Sequence, residues 1–211
     1  MALSNKSYVI NRETDWLNFG IVDNFYFEND NMCLQNKDGK CGNFISYSFD
    51  SGEIGTIWHR LRIKSKLPEN AVMRVSLYAS DSLSSDIHIT ADSDKTILID
   101  DYLKDESIPL SERVRLLNKF SSTIRYDNCY DVPLLSLKGR YLWIAIEALN
   151  YKDEDLYIES LRLDFPMDSL LEYLPEIYQR NSPPDSFFNR FLAMYQSVYD
   201  EMSDKFDRLP E

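Results

Sequence analysis

The sequence predicts a mainly β protein: an antiparallel sandwich of the jelly-roll or Greek-key kind over residues 1–165, a bent, proline-containing connector over 166–184 and an amphipathic helix over 185–211. Three observations predict it. Up to about residue 165, apolar and polar residues alternate with the period of two that a half-buried strand requires. The runs are short and separated by Asn, Asp, Ser and Gly, with no repeating helices between them, which favours antiparallel pairing over βαβ units. After Phe165-Pro166 the apolar spacing changes to fours and threes, the period of a helix.

Segments 7–10 and 20–34 carry the weaker strand patterns. In GTIWHRLRIK (55–64) Ile57, His59, Leu61 and Ile63 share one face, and Thr56, Trp58, Arg60 and Arg62 share the other. By that parity Trp58 faces outward, where it would offer a stacking platform to a sugar unless a loop covers it. Pro68-Glu69-Asn70 supplies a turn, and AVMRVSLYA (71–79) then places Met73, Val75 and Leu77 opposite Arg74 and Ser76. DIHIT and KTILID are shorter candidates. YLWIAIEAL (141–149) is strongly apolar, and DLYIESLRLDF (155–165) closes the series. Between them Ser111-Glu112-Arg113-Val114 reads either as an N-cap entering a short helical turn through Leu117 or as a loop.

The connector holds Leu170, Leu171, Tyr173, Leu174, Ile177 and Tyr178, too much apolar surface for an exposed linker, while Pro175 prevents one smooth helix. It therefore lies against the sheet edge or a partner. From a cap at Asp185 or Ser186, residues Phe188, Leu192, Tyr195, Tyr199, Met202, Phe206 and Leu209 form a heptad seam, widened by Phe191, Met194 and Val198. At 1.5 Å per residue the seam runs about 30 Å. A lone helix of that length is marginal in water, so packing against something must hold it.

Composition narrows the function. With 211 residues and 44% hydrophobic content the chain can bury a substantial core. The net charge of −12 is concentrated late: residues 153–211 hold 14 Asp or Glu against 5 Lys or Arg, a balance of −9, leaving −3 for residues 1–152. Such a field repels phosphate and anionic lipid, and no basic stripe interleaved with aromatics occurs, so neither nucleic acid nor membrane is an expected partner. No apolar run approaches the roughly 18 residues of a membrane span, and MALSNKSYVINRET lacks the pattern of a signal peptide, so synthesis in the cytoplasm is expected.

Candidate chemistry is sparse. Cys33, Cys41 and Cys129 include no CxxC pair and fit a reducing compartment, although a hairpin around QNKDGK would bring the first two together as a disulfide or metal site. His59 and His88 have no Cys or carboxylate at ligand spacing, and read as one packed and one surface histidine. Asp92-Asp94, Asp100-Asp101 and Asp153-Glu154-Asp155 do not follow the calcium-loop pattern and read as solvated turns. No serine elbow, phosphate loop or glycine-rich nucleotide fingerprint is present, and only 6 residues are Gly. The chain is expected not to be an enzyme, and no cofactor or metal is assigned. A carbohydrate-binding module is the alternative, with a hydrolase behind it.

Three stretches, in order, carry a resemblance: PLLSLKGRYLWIAIEAL (133–149), YIESLRLDFPMDSLLEYLPEIYQRN (157–181) and SFFNRFLAMYQSVYDEMSDKFDRLPE (186–211). Together they resemble the tail-protein domain of baseplate wedge proteins in contractile injection systems and phage tails, the tail protein I type above all. Phe187, Arg190, Phe191, Leu192, Ala193, Asp200, Glu201, Asp207, Leu209 and Pro210 stand where that pattern wants them. Relatives continue past the leucine-proline corner into further helices; the present sequence ends at Glu211. The resemblance implies a structural subunit without catalysis or cofactor, part of an assembled particle. Its partners would be other baseplate wedge proteins, or sheath and tube-proximal subunits, in a hetero- or homo-oligomer. The partner-binding residues would be Leu170, Tyr173, Leu174, Ile177, Tyr178, Phe188, Leu192, Tyr195, Tyr199, Met202, Phe206 and Leu209.

Overall fold

A computed structural model describes residues 6–34, 41–90, 93–150 and 155–165, with positions 188, 191, 192 and 195; for 87–90 and 93–95 it describes the backbone alone. The described chain is mainly β and its sheets are antiparallel. The strands are β1 (Lys6–Ile10), β2 (Gly20–Asp23), β3 (Phe25–Glu28), β4 (Asn31–Leu34), β5 (Cys41–Ser46), β6 (Phe49–Asp50), β7 (Arg60–Lys66), β8 (Val72–Ser80), β9 (Ser84–Thr90), β10 (Ser93–Leu98), β11 (Ile124–Asp127), β12 (Asp131–Pro133), β13 (Tyr141–Leu149) and β14 (Tyr157–Phe165). Three short helices join them: α1 (Glu13–Phe19), α2 (Ile99–Lys104) and α3 (Leu110–Arg113), the last followed by a 3-10 turn at Leu116–Lys119.

Two six-stranded sheets are built on one plan. In the first, β14 pairs with β7 along one side and with β4 and then β1 along the other; β3 and β12 form the edges. In the second, β13 pairs with β8 on one side and with β5 and β6 on the other, with β2 and β11 at the edges. The β9–β10 hairpin stands apart.

The apolar parities of both sheets meet in one core. Leu61, Ile63, Ile158, Leu161 and Leu163 come from the first sheet, and Phe44, Met73, Val75, Leu77, Leu142, Ile144 and Ile146 from the second. The outer face of the second sheet is apolar too. Ile45, Tyr78, Trp143 and Ala145 are buried beneath Ile97 of β10 and Ile99, Leu103, Val114, Leu116, Leu117 and Phe120 of the helical layer. Burial on both faces is why YLWIAIEAL reads as an unbroken apolar run instead of an alternation. Asp100 fastens the layer down: its carboxylate accepts the Trp143 indole N–H at 2.8 Å, the Ser48 backbone N–H at 3.0 Å and the Ser48 hydroxyl at 2.6 Å.

The sequence expectations need correction around residue 57. His59, Leu61 and Ile63 are buried as the parity predicts, but Ile57 is 38% exposed and Trp58 is fully buried. The alternation fails because β7 begins only at Arg60; Ile57 sits in an isolated bridge to Lys138, and Gly55 turns the chain at φ +73°. Trp58 packs on Phe165 and donates its indole N–H to the Gly139 carbonyl at 2.9 Å, so it is no sugar platform. Gly139 is required there: φ is +156°, and a Cβ would meet the Ser80 backbone nitrogen at 2.6 Å. The helical turn expected from Ser111 exists but starts earlier, at Leu110, with the Pro109 carbonyl accepting the Glu112 and Arg113 backbone N–H groups. Strands β5, β6, β11 and β12 and helices α1 and α2 were not anticipated.

Candidate partner-binding surface

Of the expected partner-binding residues, Phe188, Leu192 and Tyr195 lie within the described chain and are helical, as is Phe191. Phe188 and Leu192 are half-buried, whereas Phe191 and Tyr195 are 53% and 62% exposed. Spacings of four and three would put 188, 192 and 195 on one stripe of a continuous helix. Leu170, Tyr173, Leu174, Ile177, Tyr178, Tyr199, Met202, Phe206 and Leu209 lie outside the described residues, as does the whole connector, 166–184.

A second surface is the outer face of the first sheet. Its outward positions are mostly polar, with Val9 exposed on β1, and it divides into two regions of opposite character. Toward β12, Arg62 of β7 stands directly across from Arg162 of β14, a like-charge pairing that is unfavourable alone. Asp164 resolves it by accepting from the Arg62 guanidinium at 2.9 Å and from Arg162 Nε at 2.8 Å. Arg60 pairs with Asp131, and Lys64 with Glu159. Arg62, Lys64, Ser65, Tyr130, Asp131, Ser160 and Arg162 line an open groove of about 460 Å³ there.

Toward β3 the face becomes acidic and aromatic. Phe25 and Phe27 turn into the core, so Tyr26 and Glu28 point out; Met32 and Ile158 are in the core, so Cys33 and Tyr157 point out. The register then aligns Tyr26, Cys33, Tyr157 and Lys66 in one row across four strands. Two tyrosines thus flank a small cysteine in a cleft of about 200 Å³, with Glu28, Asn31 and Asp155 on its rim. Cys33 faces outward but is 9% exposed, because the cleft walls stand over it. Burial and then the Glu28 carboxylate push its thiol pKa up. Tyr26 is pushed up by burial, by Cys33, and by the charges of Glu28 and Asp155. Sequence reading passed over this site, although the Tyr-x-Glu repeats at 26–28 and 157–159 were the available signal.

The other candidates have structural duties. His59 is buried, with its backbone bonded to Asp164 and Leu134. The His88 side chain lies outside the described residues. Cys33, Cys41 and Cys129 are free thiols, and Cys33 and Cys41 sit on strands of different sheets, so the suggested disulfide is not formed. Asp100 is the tether described above. Among the described residues no group of three His, Cys, Asp or Glu converges as metal ligands, and no helix is long and apolar enough to cross a membrane. No protein-family model matches the chain, and no curated protein matches it.

Proposed function

We propose that this chain is a structural baseplate wedge subunit of a contractile phage tail or phage-tail-like injection particle. It is made in the cytoplasm and assembles through its C-terminal helix with other baseplate proteins, without catalysis or a cofactor. Its body is a jelly-roll sandwich. What supports the sandwich is the strand order: β4-β14-β7-β12 in one sheet and β5-β13-β8-β11 in the other, with β4–β5, β7–β8, β11–β12 and β13–β14 each crossing between sheets. An antiparallel ribbon wound around a barrel, the double Greek key of a jelly roll, would give that order.

The observation that carries the assembly reading is the exposure of Phe191 and Tyr195 on a helical stripe that also holds Phe188 and Leu192. Large apolar side chains exposed in sequence periodicity mark a surface completed by a neighbour. The body places the subunit, and the helix supplies one member of a bundle.

Light scattering on a sizing column tests it, comparing the full chain with one ending at Met167. Phe165 is a core residue, so the shorter chain must retain it. The full chain should self-associate with concentration or form a defined complex with a co-expressed wedge protein, and the shorter chain should be monomeric. A full chain that stays monomeric at every concentration and engages no wedge protein overturns the reading.

A further inference from the structure

We propose that the cleft between Tyr26 and Tyr157 is a binding site for a small organic ammonium ion carrying a methylated head group. The inference stands apart from the assembly reading and uses none of the C-terminal residues.

Geometry comes first. Tyr26 and Tyr157 each pair with Cys33 from opposite sides, so one strand separates them. At roughly 4.8 Å between strands their backbones are about 10 Å apart, which leaves room between the two side chains for a cation within the roughly 6 Å reach of a cation–π contact. Cys33 is small enough to leave that space open. The Tyr157 ring accepts a cation from its other neighbour, since Lys66, across from it on β7 and outside the cleft, places its ammonium 5.7 Å from the ring centroid.

Charge supplies the second argument. Glu28 and Asp155 line the cleft, and among the described residues no Lys or Arg does, whereas the groove on the same sheet face is lined by Arg62, Lys64 and Arg162. Both carboxylates act on the same two groups, raising Tyr26 and Cys33, so their fields converge on the cleft. A hard metal ion is a poor fit, because it demands six or more oxygen ligands and no three acidic or thiol ligands converge here. A methylated ammonium needs no such shell. It is weakly hydrated, it is attracted to ring faces, and a volume of about 200 Å³ suits a head group better than an extended ligand.

The experiment is calorimetric titration of the full chain with tetramethylammonium chloride, choline chloride and N-trimethyl-lysine, against sodium chloride at matched ionic strength. Saturable binding near one equivalent is expected for tetramethylammonium and absent for sodium. Tyr26→Leu and Tyr157→Leu should each weaken it about threefold or more, and Glu28→Gln should weaken it and flatten its salt dependence. Lys66→Met should strengthen it by removing a positive charge from the other side of the Tyr157 ring. Choline or trimethyl-lysine binding more tightly than tetramethylammonium supports the proposal and identifies the source of the head group. No saturable binding, equal binding of sodium, or affinity unchanged in both tyrosine variants with an unaltered circular dichroism spectrum overturns it.

Discussion

Trp58 illustrates how one side chain's setting decides its role. Its indole is fully buried, packs on Phe165 and donates to the Gly139 carbonyl. Trp58→Ala should therefore cost about 3–5 kcal/mol in urea unfolding, through lost burial, the cavity and the orphaned carbonyl. An exposed platform would cost within about 0.5 kcal/mol, so the size of the loss separates the two settings. Cys129 makes a second residue-level case. Burial pushes its thiol up to about 11, from about 8.5 for a free thiol. The folded state thus holds the proton more tightly than the unfolded one. The stability this contributes is fully present below the unfolded value and is lost as pH rises through the folded value. Alkylation of the native chain at pH 8 should be slow at Cys129 and speed up when urea is added, and Cys129→Ala should flatten the decline of the urea midpoint between pH 9 and 11.

At the scale of elements, the helical layer hangs on Asp100. α2 is six residues and α3 four, too short to persist without tertiary contacts. Apolar packing and three hydrogen bonds into one carboxylate hold α2 against the second sheet. Asp100→Ala would leave the Trp143 indole N–H and the Ser48 amide without acceptors, costing about 2–3 kcal/mol. The tryptophan emission should shift to the red as water reaches the sheet. Asp100→Asn keeps one acceptor oxygen and should lose less. The same elements define what the sequence could reveal. Strands β7, β8, β9, β10 and β14 were legible because alternation and turn residues agree. β5 was not, since CGNFIS is buried on both faces, Phe44 in one cluster and Ile45 in the other, and so shows no alternation. α2 begins inside the strand-like run KTILID and is too short to display a period. The Tyr26–Tyr157 cleft was not legible: it arises from register between strands more than a hundred residues apart.

For the whole molecule the question is whether the C-terminal segment completes the body or only departs from it. The described β region is already closed on itself. One core spans both sheets, the helical layer covers the outer face of the second, and the outer face of the first is charged, with its arginines engaged by Asp131 and Asp164. No apolar sheet face among the described residues is left asking for the seam. Removing residues 168–211 should therefore leave the urea midpoint of the body unchanged, and the slope of its transition, which scales with the surface exposed on unfolding, should match a chain of 167 residues that folds as one unit. Were the seam instead an ordinary core helix of this chain, the same truncation would uncover about 100 Å² or more per aromatic residue lost from contact, lowering the midpoint and leaving a monomer prone to aggregate. Unfolding of the full chain separates the two outcomes further. A helix sheltered by neighbouring copies gains stability by mass action, so its transition should move upward with protein concentration while that of the body stays fixed. A single transition, independent of concentration and higher than that of the 167-residue chain, would place the helix within its own molecule and remove the basis for assembly.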